Sequence, residues 1–251
     1  MGALAGRPQR PPDGVTPELS ILMPVYNERA TVRRAMEQVL ETELPVSGLE
    51  LIVVDDGSTD GTAEFLQERT WPENVRLLRH ESNRGKGAAV RTALAQARGA
   101  YATIMDADLE YEPRNIAAIL EPLLDGRTQA VFGVRGFQSH SAYSFWYVMG
   151  NKLVTLAANL LYDSWLQDIM TCHKAMATEL FRSLPLSERG FGIEPEIVAR
   201  LLRSGIRIYE VPVTYRARSR EEGKKLTTAE GARVLKTLVR CRIDPAGARR
   251  R

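Results

Sequence analysis

The sequence has few cysteines and no uninterrupted apolar run long enough to cross a membrane. Cys172 and Cys241 are the only cysteines among 251 residues, and they form neither a CxxC pair nor the spacing of a zinc site. The most apolar stretch, residues 143–162, is interrupted by two asparagines and a lysine, whereas a spanning helix needs about 20 mostly apolar residues. These absences argue against a disulfide-rich scaffold and a zinc ribbon. They predict a cytoplasmic protein, either soluble or peripheral at the inner membrane face.

Both ends of the chain also lack apolar segments. Residues 1–17 are rich in glycine and proline, which is typical of a disordered leader, and they do not contain the apolar segment of a secretory signal. Residues 243–251 form a basic tail that ends in three arginines. A single domain is therefore predicted for residues 18–242.

Positive charge is in slight excess and is unevenly distributed. The chain has 34 Lys and Arg against 31 Asp and Glu, a formal net charge of +3, and basic residues are concentrated after Arg200. This asymmetry indicates an anionic partner such as a phosphate or a membrane surface, although solvation alone explains the last residues equally well. We expect no nucleic-acid partner, because Glu221 and Glu222 lie among the basic residues and only Tyr215 could stack on a base.

Short apolar runs alternate with segments of helical periodicity. Strands are predicted at residues 19–25, 51–54, 75–78, 101–105, 130–134, 175–177 and 206–213, the last an edge strand because it contains Pro212. Helices are predicted at residues 30–41 (with Asn27 as N-cap), 62–69, 88–97, 113–124, 143–162, 195–203 and 228–240. This alternation predicts a single α/β domain with a Rossmann-like, doubly wound, mostly parallel sheet flanked by helices. We expect helix 143–162 to be a core helix, with a membrane-interface helix as the alternative.

Polar side chains follow the predicted strands at their carboxyl ends. The clusters are residues 26–28, Asp55 with Asp56, Arg84 with Lys86, and Asp106 with Asp108. Because ligands of doubly wound sheets bind beyond the carboxyl ends of the strands, these clusters are expected to share one site.

Asp106 and Asp108 carry the most specific chemistry of this set. Side chains two residues apart on a strand point to the same side, so the two carboxylates repel each other unless a cation lies between them. A hard divalent ion such as Mg²⁺ or Mn²⁺, bridging to phosphate oxygens, would satisfy both. The alternative is a solvated acidic turn. The other polar clusters on the same rim favour the metal.

The combined motifs resemble those of the family-2 glycosyltransferases of GT-A fold. The matching segments are MPVYNE (23–28), VVDDGSTDGT (53–62), NRGKG (83–87) and DAD (106–108). Arg135, residues 168–174, 191–196, 210–212 and 221–225 resemble the dolichyl-phosphate mannose synthase and polyprenyl-phosphate branch of that family. The resemblance covers about residues 19–242.

This resemblance implies metal-dependent transfer of a sugar from a nucleoside-diphosphate donor, with inversion at the anomeric carbon. It implies a nucleotide-sugar site formed by Pro24, Tyr26, Glu28, Asp55, Asp56, Arg84, Lys86, Asp106, Ala107 and Asp108. Within that site Asp108 is the principal metal ligand, assisted by Asp106, and Asp55 or Asp56 binds the base or ribose. A second set binds the donor diphosphate or the acceptor: Arg135, Arg216, Arg218, Lys224 and Lys225.

The catalytic carboxylate is predicted to be Asp168, acting with Arg135. For an alcohol acceptor Asp168 would remove a proton, whereas a phosphate acceptor is already ionised near neutral pH and needs mainly positioning. The alternative for Asp168 is a helix or turn cap. Glu194 is a weaker candidate, since it lies at a helix start, and His173 is expected to be a packed side chain.

The resemblance also predicts which acceptor and which donor the protein uses, and it leaves alternatives for both. A polyprenyl or dolichyl phosphate at a membrane surface is the expected acceptor, and GDP-mannose is slightly favoured over a UDP-sugar. His173 and Ile193 depart from the tyrosine and the aromatic residue of close bacterial relatives, and many of those relatives continue into transmembrane helices. These departures leave a soluble small-molecule acceptor as an alternative. A separate alternative is a binding protein that holds a nucleotide sugar without turnover, against which the DAD segment and the basic loop argue.

Overall fold

Strands and helices alternate along most of the chain. The computed structural model describes residues 17–136, 145–217 and 228–244. Its strands are β1 (Leu19–Val25), β2 (Leu49–Asp55), β3 (Val75–Arg79), β4 (Tyr101–Ile104), β5 (Ala130–Arg135), β6 (Lys174–Ala177) and β7 (Ile208–Val213). Its helices are α1 (Val32–Glu41), α2 (Thr62–Glu68), α3 (Lys86–Gln96), α4 (Asn115–Leu124), α5 (Phe145–Tyr162), α6 (Thr178–Ser183), α7 (Ile193–Arg203) and α8 (Thr228–Ile243).

The strands form one seven-stranded sheet in the order β3-β2-β1-β4-β6-β5-β7. All neighbouring pairs are parallel except those of β6, which runs antiparallel to both β4 and β5. The predicted mostly parallel, doubly wound sheet is therefore confirmed. Strand β7 lies at an edge, as its proline predicted, because an edge strand needs only one row of ladder hydrogen bonds.

The reversed direction of β6 has a consequence for the site. Lys174, its first residue, pairs with Phe132 of β5, and Ala177, its last, pairs with Tyr101 at the start of β4. The chain segment immediately before β6 therefore lies at the carboxyl ends of β4 and β5. Residues 168–173 thus reach the same rim as the acidic segment after β4.

The central strands are buried on both faces. Every residue of β1 is buried, as are all residues of β2 except Leu49. Such continuous apolar strands are typical of parallel sheets covered by helices on both sides. Helix α1 buries Val32, Ala35, Met36 and Val39 against this core, a spacing that places all four on one face.

Several local predictions are corrected. Asn27 is not the N-cap of α1, which begins at Val32. Instead, Asn27 has a φ of 53°, and its side chain accepts a hydrogen bond from the Thr59 amide at 2.8 Å. Helix α3 begins at Lys86 rather than at residue 88, and α6 is a short helix that the periodicity did not predict.

The prediction that α5 is a core helix is also corrected. Only Asn151, Val154, Thr155 and Ala158 of α5 are buried, and the opposite face carries large apolar side chains in solvent. These are Phe145, Trp146, Met149, Leu153, Leu156 and Leu160, which we call the α5 apolar face. Among the helices that the structure describes, none combines the length and apolarity that crossing a membrane would require.

Some predictions fall outside the described residues. They concern Arg218, Lys224 and Lys225 of the basic loop, nearly all of the predicted leader, and the tail from residue 245 onward.

Candidate active site

A cavity of about 330 Å³ opens at the carboxyl ends of the strands. Among its lining residues are many of the predicted ones: Pro24, Tyr26, Glu28, Asp56, Lys86, Asp106, Ala107, Asp108, Arg135 and Glu194. They lie at or just beyond the carboxyl ends of β1, β2, β4 and β5 or near the start of α3 and α7. The sheet thus brings together residues that are as much as 170 positions apart in the chain (24 to 194).

The two aspartates of the DAD segment have different surroundings. Asp106 forms an ion pair through Oδ2 with the Lys86 ammonium at 2.7 Å, whereas Asp108 Oδ1 accepts a hydrogen bond from the Glu110 amide at 3.0 Å. Leu109, between Asp108 and Glu110, has a φ of 62°, a left-handed conformation that turns the chain tightly at this point. The turn holds Asp108 at the cavity wall beside Asp106.

These carboxylates fit a hard divalent ion. Neither here nor elsewhere in the described residues is a group of three or more His, Cys, Asp or Glu side chains arranged to hold a metal ion. A protein cage is not what Mg²⁺ needs, because it commonly uses one or two carboxylates and takes its remaining oxygens from water and substrate phosphates. Asp106 and Asp108 supply such a pair at the cavity.

Asp55 and Asp56 are distinguished by the fold. Asp56 lines the cavity and accepts hydrogen bonds from the amides of Arg84 and Gly85 at 3.0 and 2.7 Å. Its Oδ1 is also 2.6 Å from His80 Nδ1. Asp55 instead accepts a bond from the Ser58 amide and pairs with Arg79, and it is absent from the cavity lining. Asp56 is therefore the member of the pair that anchors the loop before α3.

A row of alternating charges extends from the cavity into the core. Lys86 Nζ lies 2.7 Å from Asp106 Oδ2 and 2.8 Å from Glu194 Oε1, and Glu194 Oε2 lies 2.6 Å from Lys174 Nζ. Burial alone would lower the pKa of Lys86, but Asp106 and Glu194 raise it well above its ordinary value. Burial likewise favours a higher pKa for Glu194, yet Lys174 and Lys86 hold it below normal. Both groups are therefore charged at neutral pH.

Arg135 and Asp168 form a second buried ion pair. The guanidinium binds the carboxylate in a bidentate manner, with Nε–Oδ2 and Nη2–Oδ1 distances of 2.6 and 2.8 Å. Asp168 Oδ1 also accepts bonds from the Asn151 side chain and the Met170 amide, both at 3.1 Å. Burial alone would raise the pKa of Asp168, but Arg135 and these bonds hold it below its usual value.

Two tyrosines complete the setting of Arg135. Its Nη1 donates to the Tyr147 hydroxyl at 3.0 Å, and its guanidinium carbon lies 5.1 Å from the centroid of the Tyr215 ring. Tyr147 belongs to α5, and Tyr215 follows β7. Arg135, at the end of β5, therefore contacts α5 and the segment after β7 at the cavity wall, and these contacts fix the orientation of its guanidinium group.

Other predicted residues lie away from the cavity lining. Asp168 is behind Arg135, and Asp55, Arg84 and Arg216 do not contribute to the wall. Arg84 and Arg216 are exposed, each held through its backbone amide. His173 is packed, as predicted: it stacks on Tyr111 with ring centroids 4.3 Å apart, and burial with nearby lysines lowers its pKa to about 3.

Sequence reasoning missed an aromatic and sulfur-containing part of the wall. Its residues are Tyr111, Tyr147, Met170, Cys172, Phe191 and Tyr215. Met170, Cys172 and Phe191 are part of matching segments, but the other three carry no local signal. They come from loops and helices that the tertiary structure brings to the rim. Cys172 is enclosed here, and burial raises the pKa of its thiol well above normal.

Comparisons with known proteins agree with this geometry. Residues 20–184 match the family model described as glycosyl transferase family 2. The glycosyltransferase AglJ of Haloferax volcanii is 29% identical over 202 residues, which cover 80% of this chain and 64% of that protein. The dolichol-phosphate mannosyltransferase of Pyrococcus furiosus is 27% identical over 211 residues, covering 82% of this chain and 59% of that protein. This chain thus spans less than two thirds of the length of either relative.

A solved structure shares the fold. The glucosyl-3-phosphoglycerate synthase of Mycobacterium tuberculosis, crystallised with Mn²⁺, uridine diphosphate and glucosyl-3-phosphoglycerate, superposes with a TM-score of 0.68 at 24% identity. The match covers 90% of this chain and 80% of that one. It confirms the predicted α/β fold of GT-A type.

Proposed function

Because the chain belongs to glycosyl transferase family 2, we propose that it transfers a sugar from a nucleoside-diphosphate donor to an acceptor phosphate. The observation that carries this proposal is the set formed by Asp106, Asp108 and Lys86 at the cavity wall. Two carboxylates and an ammonium group are the groups needed beside a diphosphate whose charge grows as it leaves. A divalent ion bound there, Mg²⁺ or Mn²⁺, would neutralise that charge as a Lewis acid.

The donor half of the cavity is formed by the residues after β1, β2 and β4. Pro24, Tyr26 and Glu28 form one wall, and Asp56 fixes the loop that leads into α3. That loop places Lys86 at the first residue of a helix, where the helix dipole also favours an anion. In our proposal the nucleotide lies along this wall, with its diphosphate toward Lys86 and Asp108.

The acceptor half is organised by Arg135. A guanidinium group binds phosphate through parallel hydrogen bonds, and Asp168, Tyr147 and Tyr215 hold this one in place. The acceptor oxygen would form a bond to the anomeric carbon, while the bond from that carbon to the diphosphate breaks and its electron pair stays on the diphosphate. Inversion at the anomeric carbon follows from such a single displacement.

The state of the two candidate bases favours a phosphate acceptor over an alcohol. Asp168 has a lowered pKa and is committed to Arg135, and Glu194 has a lowered pKa and bonds to two lysines. A carboxylate held in this way is a weak proton acceptor. A phosphate oxygen is already ionised near neutral pH. We therefore assign Asp168 to positioning Arg135 rather than to proton removal.

A lipid phosphate is the leading acceptor, and the α5 apolar face supports this choice. Trp146, Leu153 and Leu160 are 79%, 61% and 76% exposed, and Tyr147, on the same helix, reaches the cavity wall. An exposed apolar helix face with aromatic residues at one end suits the interface of a bilayer. The dolichol-phosphate mannosyltransferase relative supports mannose as the transferred sugar, in line with the GDP-mannose donor that the resemblance favours.

A soluble phosphate acceptor with a UDP-sugar donor is the second candidate. It is favoured by the structural similarity to a synthase that was crystallised with uridine diphosphate and a phosphoglycerate product. Both candidates use the same donor chemistry and the same Arg135. They differ in whether the acceptor carries a hydrocarbon chain and in the attacking oxygen, because a phosphoglycerate offers an alcohol oxygen besides the phosphate that Arg135 would bind.

A paired assay tests these alternatives. The protein is incubated with Mn²⁺ and either GDP-mannose or UDP-glucose, together with polyprenyl phosphate in vesicles or with 3-phosphoglycerate, and products are identified by mass spectrometry. We expect lipid-linked sugar with the lipid acceptor. Product only with phosphoglycerate would support the second candidate, and no product from any combination would contradict the proposal.

Asp108→Ala provides the internal control for the metal. We expect it to abolish product in every productive combination, because it removes the principal ligand. The matched variant Asp125→Ala removes an exposed carboxylate that pairs with Arg127 on the surface, and it should leave turnover unchanged. Full activity of Asp108→Ala would disprove the metal assignment.

A further inference from the structure

Lys174 is a fully buried lysine that does not line the cavity. Its side chain is 0% exposed, and its ammonium lies 5.0 Å from the centroid of the Phe132 ring. Apolar surroundings make such a charge costly unless it is paired. Its partners are the Thr171 carbonyl and Glu194 Oε2, the latter at 2.6 Å.

Glu194 connects this lysine to the cavity. Its Oε2 atom bonds to Lys174, and its Oε1 atom lies 2.8 Å from the ammonium nitrogen of Lys86. Lys86 in turn contacts Asp106 at 2.7 Å. Because each oxygen of Glu194 has its own cation, the carboxylate cannot turn both oxygens onto Lys86.

The balance of charge in this row is the decisive feature. Burial lowers the pKa of Lys174, and its ion pair with Glu194 opposes this effect. With both lysines charged, they balance Glu194 and Asp106, so the cavity wall beside the DAD segment carries no excess negative charge from this row. Without Lys174, Glu194 would bind Lys86 with both oxygens and draw its ammonium away from the cavity. The row would then carry one net negative charge beside an incoming diphosphate.

We propose that Lys174 is a positioning residue for diphosphate recognition: it holds Glu194 so that Lys86 is presented to the donor phosphates. The role rests on the proposed nucleoside-diphosphate site. Lys174, the first residue of the antiparallel strand β6, acts from behind the wall and does not touch the substrate.

The experiment compares nucleoside diphosphates with monophosphates. Calorimetry measures the affinities of GDP, GMP, UDP and UMP, with Mn²⁺ and with EDTA, for the wild type and for Lys174→Met. We expect the wild type to prefer the diphosphate. In both media the variant's ratio of diphosphate to monophosphate affinity should fall about tenfold, the effect of one unit charge about 12 Å away at an effective dielectric constant of about 20.

Two further variants separate this role from a structural one. Lys236→Met removes an exposed lysine of α8 and should keep the wild-type preference. Lys174→Met combined with Glu194→Gln leaves no unpaired buried charge, because Lys86 remains paired with Asp106, and it should recover most of the wild-type preference. Lys174→Gln, which also removes the positive charge, replaces Lys174→Met if that variant does not fold, as judged by circular dichroism.

The outcomes distinguish this role from the proposed function. A folded Lys174→Met or Lys174→Gln variant that retains the wild-type ratio of diphosphate to monophosphate affinity, or a double variant that loses as much of it as the single one, would overturn the role of Lys174 alone. A wild type that binds neither GDP nor UDP would overturn the donor site itself, and with it this role.

Discussion

At the scale of single residues, the Arg135–Asp168 pair is the strongest determinant of site geometry. Both side chains are almost entirely buried, and removing one partner of such a pair leaves an uncompensated charge in the interior. We predict that Asp168→Asn lowers the free energy of unfolding by about 3 kcal/mol near pH 7, as measured by urea denaturation. Asp125→Asn, at a surface pair, should change it by less than about 1 kcal/mol.

The same pair predicts a pH dependence. The pKa of Asp168 is lowered in the folded state, so its contribution to stability is present above its unfolded pKa of about 3.9 and is lost as pH falls through the folded value. The advantage of the wild type over Asp168→Asn should therefore be constant from pH 7 down to about 5 and shrink at lower pH. An advantage that grew on acidification would contradict the assignment.

At the scale of elements, α5 has two roles on opposite faces. Asn151 on its buried face bonds to Asp168 at 3.1 Å, which ties the helix to the site, while the α5 apolar face is open to solvent. Lys152, which is also exposed on this helix, would be attracted to an anionic lipid surface.

We predict that the α5 apolar face binds vesicles containing anionic lipid. The double variant Trp146→Gln with Leu153→Gln should reduce co-sedimentation about tenfold or more, because each exposed side chain contributes roughly 1.5–3 kcal/mol when buried. Leu77→Gln, on the edge strand β3, is the matched control. Unchanged vesicle binding, or a dimer of the wild type that the double variant dissolves, would refute membrane docking.

At the scale of the whole molecule, the cavity joins both halves of the sheet. Its walls come from β1, β2 and β4 on one side and from β5, α5 and α7 on the other. A ligand that contacts both halves should therefore stabilise the entire fold. At a concentration of one hundred times its dissociation constant, it adds about 2.7 kcal/mol to the free energy of unfolding.

We predict that the cognate nucleoside diphosphate raises the melting temperature by roughly 5–10 °C in the presence of Mn²⁺ or Mg²⁺. Thermal unfolding with GDP, UDP and dTDP identifies which base is accepted, and EDTA should remove most of the shift. Asp108→Ala should show little metal-dependent shift with any of the three. Equal shifts with and without metal would contradict the assigned ligands.

Much of this protein could be predicted from local patterns. Apolar runs and helical periodicity reflect backbone conformation within a few residues, so they predicted the strands, most helices and the mostly parallel sheet. Polar clusters after β1, β2 and β4 predicted a common rim, because carboxyl ends of parallel strands lie together. The ordered motifs indicated the family, which the match over residues 20–184 confirmed.

The tertiary structure decided the contacts between residues that are far apart in the sequence. No local pattern pairs Lys174 with Glu194, or Arg135 with Asp168, since these contacts form only when β6 enters the sheet antiparallel. The exposure of the α5 apolar face likewise depended on which side of the helix packs against the core. The sequence by itself determined that Asp106 and Asp108 lie together at the end of a strand. Only the fold decided that Lys86, backed by Glu194 and Lys174, faces them, because buried charges acquire their partners through packing.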